Sequence, residues 1–169
     1  GVTAGLLKYR VPRPKGEDKP IGPLMDAQRA LGILRNRATE FGIRPDRIGV
    51  LGFSAGGHLA AAASTTYAER KYTAPDAADA VSCRPDFTVL IYPAYLTQKD
   101  QGDRVSPELT ITSNTPPTFI SISQDDPVRV ETALGYATAL QQLRVPMELH
   151  IYPKGGHGYG LRRTEMAVT

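Results

Sequence analysis

The pentapeptide Gly52-Phe53-Ser54-Ala55-Gly56 follows the apolar run Ile48-Gly49-Val50-Leu51 and precedes Gly57-His58-Leu59 and an alanine stretch, Ala60 to Ala63. This order reads as a strand, a sharp turn and a helix, with a serine at the apex. Glycines two residues before and two after Ser54 are expected to let the chain reverse without Cβ collisions, leaving the hydroxyl exposed on a strained backbone where a nucleophile is useful. G-x-S-x-G alone is a weak signal. Set between a buried-strand pattern and a small-residue helix it becomes a specific one. The competing reading is a glycine-rich turn around an inert serine.

Outward from this turn the chain alternates. Upstream, Thr3 to Tyr9 reads as a short apolar strand, and the stretch from Arg10 to Pro23 as a long polar loop broken by Pro12, Pro14, Gly16 and Pro20. Leu24, Ala27, Leu31, Leu34, Ala38 and Phe41 recur at spacings of three and four, which predicts a helix closed by Gly42. Ile48 to Phe53 is apolar enough to be a strand covered on both faces, and the helix after the turn is expected from about Gly56 to Thr66.

Downstream, Tyr67 to Pro85 lacks periodicity and is expected to run over the surface. Phe87 to Tyr92 is a strand stopped by Pro93. Thr97 to Pro117 is polar and punctuated by proline, the composition of a lid-like insertion or a mobile loop. Thr118 to Ser123 reads as a strand, Val130 to Leu143 as a helix and Met147 to Tyr152 as the last strand. Five strands separated by helices or long excursions imply one α/β domain, residues 1–169, built on a mostly parallel sheet. Ligands of such sheets bind beyond the carboxyl ends of the strands.

A serine hydroxyl needs a base within hydrogen-bond reach and a carboxylate to orient that base. Three histidines are present. His58 lies in the first turn of the helix after Ser54 and is expected to pack or cap there. His150 falls inside the last strand and reads as structural. His157, in Lys154-Gly155-Gly156-His157-Gly158-Tyr159-Gly160, sits just past a strand end where glycines free the backbone to aim an imidazole. For the carboxylate, Asp125 and Asp126 both follow the Thr118 to Ser123 strand. Asp126 is preferred because it opens an Asp-Pro-Val turn, in which the proline fixes the following φ. Asp125 remains the alternative, otherwise a turn or helix-capping residue. The order Ser54, Asp126, His157 is the one that accompanies this type of turn.

The bulk composition excludes several classes. A net charge of +3 comes from scattered lysines and arginines, so neither nucleic acid nor an anionic membrane surface is an implied partner. No apolar run approaches the roughly 20 residues of a membrane span, and residue 1 opens no leader peptide. Cys83 is the single cysteine, which rules out an intrachain disulfide and a cysteine-based metal site. It is expected to be a buried, inert thiol.

The segments Leu7-Lys8-Tyr9-Arg10-Val11-Pro12, Asp26-Ala27-Gln28-Arg29-Ala30, Arg47 to Leu59 and Gly155-Gly156-His157-Gly158 carry a resemblance. The chain resembles α/β-hydrolases of the esterase/lipase superfamily, and more narrowly the bacterial acetylxylan-esterase-like carbohydrate esterases. The resemblance implies a three-layer α/β-hydrolase fold. It makes Ser54 the nucleophile, His157 the general base and later acid, Asp126 its orienting carboxylate and the Ala55 backbone N–H one oxyanion donor. It calls for no cofactor and no metal, and for a short acyl ester of a carbohydrate, such as acetylated xylan, met in a secreted or periplasmic setting.

Two rivals stand beside that reading. One is a serine peptidase of the prolyl-oligopeptidase type, and the other a non-catalytic α/β module. Enzymes of this resemblance also carry earlier strands, a His-Gly-Gly-Gly-like loop with the second oxyanion donor, and a later helix. The 169 residues are therefore expected to match the middle and late part of a longer hydrolase. Loss of one oxyanion donor costs roughly 100- to 1000-fold in turnover, and an uncovered sheet edge invites pairing with a second copy.

Overall fold

A computed structural model describes residues 1–11, 21–160 and 162. In chain order its elements are α1 (Ile21–Asn36), β1 (Val50–Phe53), α2 (Ala55–Thr65), β2 (Thr88–Ile91), β3 (Thr97–Gln98), β4 (Arg104–Val105), β5 (Thr118–Ser123), α3 (Glu131–Gln142) and β6 (Met147–Tyr152). Strands β1, β2, β5 and β6 lie side by side in that order, every pair parallel. The register sets Phe53 beside Ile91, Ile91 beside Ser121, and Ser123 beside Tyr152. Parallel pairing brings the carboxyl ends of all four strands to one edge, and the segments following β1, β5 and β6 open there.

Residues 3–9 form no strand. Leu6 is fully exposed, and no neighbouring strand among the described residues offers the ladder of hydrogen bonds that an extended segment needs. The segment is instead anchored at its end, where the Arg10 backbone N–H donates to Asp26 Oδ2 at 2.9 Å and the guanidinium pairs with the same carboxylate at 2.8 Å. The charged partner, through its side-chain hydrogen bonds first, holds the Asp26 carboxyl below the usual range. Of the polar stretch from Arg10 to Pro23, residues 12–20 lie outside the described residues. Ile21, Gly22 and Pro23 already belong to α1, because a proline in the first turn sacrifices an N–H that has no intrahelical acceptor.

Helix α1 stops at Asn36, earlier than its apolar spacing suggests. Turns carry the chain to Gly42 at φ 62°, with the Ile43 N–H closing on Ala38 O at 2.9 Å. Helix α2 lies tightly on the sheet because its inward positions are small: Ala60, Ala61 and Ala63 are fully buried. Ser64 Oγ approaches Thr88 Oγ1 to 2.6 Å across that interface. Alanines of α2, Leu90, Ile120, Ile122 and the α3 residues Tyr136 and Leu140 form one core cluster. Side-chain alternation turns Leu51 and Phe53 the other way, and they remain 54% and 46% exposed. Strand β1 is thus covered on one face by the described residues, where its apolar sequence predicts two.

The two long excursions are ordered by specific contacts. Residues 67–85 are held to α1 by fully buried Gln28, whose Nε2 donates to Thr66 O and Glu69 O and whose Oε1 accepts from the Lys71 N–H. Arg29 and Arg70 pair with the wholly buried Asp79 carboxylate. Within this excursion Cys83 is buried, and desolvation pushes its thiol pKa up. The polar stretch from Thr97 to Pro117 opens with a hairpin, residues 97–105. Strands β3 and β4 pair antiparallel, while Leu96 and Leu109 bury themselves against α3 and the core. Proline and polar residues hid this because two apolar anchors suffice to dock the segment.

Candidate active site

The turn after β1 has the strained geometry that its sequence predicts. Ser54 adopts φ 51° and ψ −121°, a conformation a non-glycine residue holds only when its surroundings over-determine it. Those surroundings are backbone hydrogen bonds. The Ser54 N–H donates to Ile91 O at 3.0 Å, while Ser54 O accepts from Ala94 at 3.0 Å and from Gly57 at 2.9 Å. The two glycines differ in their reason. A Cβ on Gly52 would stand 2.0 Å from Gly56 O, so that position admits no side chain. At Gly56 a Cβ would meet nothing within 4 Å, and the expected steric need for glycine there is absent.

His157 stands between Ser54 and Asp126. Its Nδ1 lies 2.8 Å from Asp126 Oδ2 and 3.0 Å from Oδ1, and its Nε2 lies 2.8 Å from Ser54 Oγ. A carboxylate only accepts, so Nδ1 carries the proton that is donated to Asp126. Nε2 is left as the acceptor for the serine hydroxyl. The Asp126 side chain is fully buried, and its Oδ1 also accepts the Val128 N–H at 2.7 Å, the turn bond expected of an Asp-Pro-Val sequence. Glycines 156, 158 and 160 all take positive φ, which is how the chain bends around His157.

Asp125, the alternative carboxylate, points elsewhere. Its Oδ1 accepts the Gly156 N–H at 2.8 Å and so ties the histidine loop to the end of β5. His58 faces Glu108, with Nε2 and Oε1 3.2 Å apart, and His150 lies 2.6 Å from Glu148 on the exposed side of β6. Ala55 is the first residue of α2, where a backbone N–H has no intrahelical acceptor and the helix dipole favours negative charge.

The model of the prolyl oligopeptidase family matches residues 30–169. The chain belongs to the prolyl oligopeptidase family. It is similar to an acetylxylan esterase from Xylanibacter ruminicola, 29% identical over 184 residues that cover 95% of this chain and 35% of that one. Among solved structures it resembles an acetyl ester-xyloside bifunctional hydrolase from Caldicellulosiruptor lactoaceticus, with 40% identity, 90% and 61% of the two chains covered, and a TM-score of 0.75. It also resembles an alpha/beta hydrolase enzyme from a Medee basin deep-sea metagenome library at 32% identity, with 89% and 56% covered and a TM-score of 0.68. The fold is that of the α/β-hydrolases. The chain spans about a third of the length of the curated relatives it matches.

Around its serine this member of the prolyl oligopeptidase family has an open cleft of about 260 Å³, lined by Ser54, Tyr95, Thr97, Lys99, Arg129 and Thr132 among others. Neither the hairpin residues nor Arg129 emerged from sequence motifs. The signal available was positional: Ala94 to Thr97 follow a strand at the sheet's carboxyl edge, where ligands bind. Arg129 grips Asp103 through two hydrogen bonds, of 3.1 and 2.9 Å, which fasten the hairpin to the loop that carries Asp126. Behind the imidazole, buried Tyr92 packs edge-on to His157 at 5.0 Å and to Tyr159 at 4.7 Å. Tyr159 in turn hydrogen-bonds Ser121 at 3.1 Å. Burial raises the Tyr159 phenol pKa, so this support stays neutral at physiological pH. Among the described residues no cluster of three His, Cys, Asp or Glu side chains is placed to hold a metal ion, and no helix is long and apolar enough to cross a membrane.

Proposed function

We propose that the protein is a serine ester hydrolase that removes a short acyl group, acetyl in the simplest case, from a carbohydrate such as acetylated xylan. Ser54 Oγ attacks the ester carbonyl while His157 Nε2 takes its proton, and the same proton then passes to the leaving alcohol. Asp126 holds the imidazole in the required tautomer and balances its charge in the transition state. The Ala55 N–H faces the developing oxyanion at the positive end of α2. Water, activated by His157 in the reverse sense, releases the carboxylic acid from the acyl-enzyme. The observation that carries the reading is the imidazole bridging Ser54 and Asp126 at 2.8 Å on each side. The names of the similar proteins, an acetylxylan esterase and an acetyl ester-xyloside hydrolase, support the sugar-ester part.

The family itself favours a second reading, a peptidase cleaving after proline. Three measurements separate the possibilities. Acetate release from acetylated xylan against cleavage of a chromogenic prolyl peptide distinguishes esterase from peptidase. A fluorophosphonate probe labels Ser54 in either and leaves a non-catalytic module unmodified. Ser54→Ala is expected to reduce nitrophenyl acetate hydrolysis by about a thousandfold or more. Full activity in that variant rules the mechanism out.

A further inference from the structure

Tyr95 combines features that ordinary packing does not explain. The residue is 68% exposed although it lines the cleft beside Ser54. Its backbone sits at φ 59°, which a bulky residue adopts only under constraint. The constraint is visible on three sides. Ser106 Oγ donates to Tyr95 O at 2.9 Å, the preceding Ala94 N–H donates to Ser54 O, and the following Leu96 N–H donates to Thr132 Oγ1 at 2.9 Å. Three anchors therefore fix the Tyr95 backbone relative to the serine, so that the side chain departs from a set point at the cleft with much of its surface in water. His58 packs edge-on to it at 6.4 Å. Leu51 and Phe53 are also exposed, but they lie in a regular strand and do not line the cleft.

From this we infer that Tyr95 is a specificity-determining residue, a platform on which the pyranose ring of the alcohol half of the substrate stacks. The inference rests on the carbohydrate-ester reading and deepens it. A pyranose has a face of C–H groups that is apolar and weakly positive, complementary to the negative face of a phenol ring. A fixed backbone matters because less of the platform remains to be ordered when the sugar arrives. The neighbouring Lys99 supplies an ammonium donor and Thr97, whose hydroxyl donates to Asp103, an acceptor oxygen, the polar complement that a sugar's hydroxyls require. The backbone strain at Tyr95 is thus retained for ligand binding rather than for stability.

Tyr95→Gly tests this with the backbone kept, since glycine takes positive φ without a Cβ penalty. The variant is expected to raise KM for an acetylated xyloside by about 10-fold, with kcat nearly unchanged. KM for nitrophenyl acetate, which brings no sugar, is expected to move much less, and Tyr95→Phe to restore the wild-type value. An unchanged KM for the sugar ester overturns the proposal, as does an equal loss on both esters. A second arm needs no turnover: in Ser54→Ala protein, titration with xylo-oligosaccharide should shift the Tyr95 ring resonances. Shifts in the variant, together with no hydrolysis of any ester by the wild-type protein, sink the esterase reading and leave the platform standing. Hydrolysis without dependence on Tyr95 does the reverse.

Discussion

Asp125 accepts the Gly156 N–H at 2.8 Å, one residue ahead of the pair in which Asp126 meets His157 Nδ1 at the same distance. Adjacent aspartates at the end of one strand thus divide two tasks at the end of the next. Asp125 holds the backbone of the histidine loop, and Asp126 faces the imidazole itself.

Substitution should separate the two. Asp126→Asn is expected to lower turnover about ten-thousandfold, because an amide can donate to Nδ1 and so favours the wrong tautomer. Asp125→Ala loosens the loop without touching the imidazole's proton, and turnover is expected to fall only about 10-fold. Steady-state kinetics on nitrophenyl acetate distinguish them, and equal losses would mean that the division of labour is wrong.

The two glycines of the turn make opposite predictions. Gly52→Ala drives a methyl group into Gly56 O and is expected to cost about 3 kcal/mol or more. Gly56→Ala adds a methyl group in open space on the first turn of α2 and is expected to be stabilising by about 0.5–1 kcal/mol. Urea unfolding followed by circular dichroism reads both. A Gly56→Ala variant as unstable as Gly52→Ala contradicts the geometry.

Gln28 is a third test, on the fold beneath the site. It is wholly buried and joins α1 by three hydrogen bonds to backbone, one at Thr66 just past α2 and two in the excursion of residues 67–85. Gln28→Leu keeps most of the volume but strands two carbonyls and one N–H, at a cost of about 3 kcal/mol. A change below about 0.5 kcal/mol in urea unfolding would show that those groups find other partners.

The parallel sheet was legible because β-branched and leucine-rich runs alternate with helical spacing, and the order of Ser54, Asp126 and His157 along the chain pointed to the candidate site, where the three side chains lie within hydrogen-bond distance. Glycine placement in sequence does not reveal which glycine is sterically required, since Gly56 O, the atom that forbids a side chain at Gly52, comes from the next turn. Residues 3–9 have strand-like composition, yet pairing is a property of the neighbour and not of the segment. The docked hairpin is masked for a related reason: Leu96, just before the stretch, and Leu109 within it reach the core while the average character of residues 97–117 is polar. Tyr95 has only its place after a strand end to mark it, and Lys99 and Arg129 line the cleft through tertiary placement that no local pattern encodes.

The Asp103–Arg129 pair predicts a pH dependence with a definite sign. Arg129, through its hydrogen bonds first, holds the Asp103 carboxyl below the ordinary carboxylate value. A carboxyl whose pKa is depressed on folding contributes stability above its unfolded pKa of about 4 and loses it as pH falls through the lower folded value. Thr97 Oγ1 donates to the same Asp103 carboxylate at 3.2 Å, and Glu131 lies 3.5 Å from Arg129, so the pair anchors β3 to the start of α3. Asp103→Asn is therefore expected to melt below wild type at pH 7, with the gap closing as pH drops below about 4. Because both side chains are partly exposed, at 26% and 33%, the gap at pH 7 should also narrow in high salt. Melting curves of both proteins across that pH range decide the matter, and a gap that persists unchanged into acid shows that the two residues are joined by packing rather than by charge.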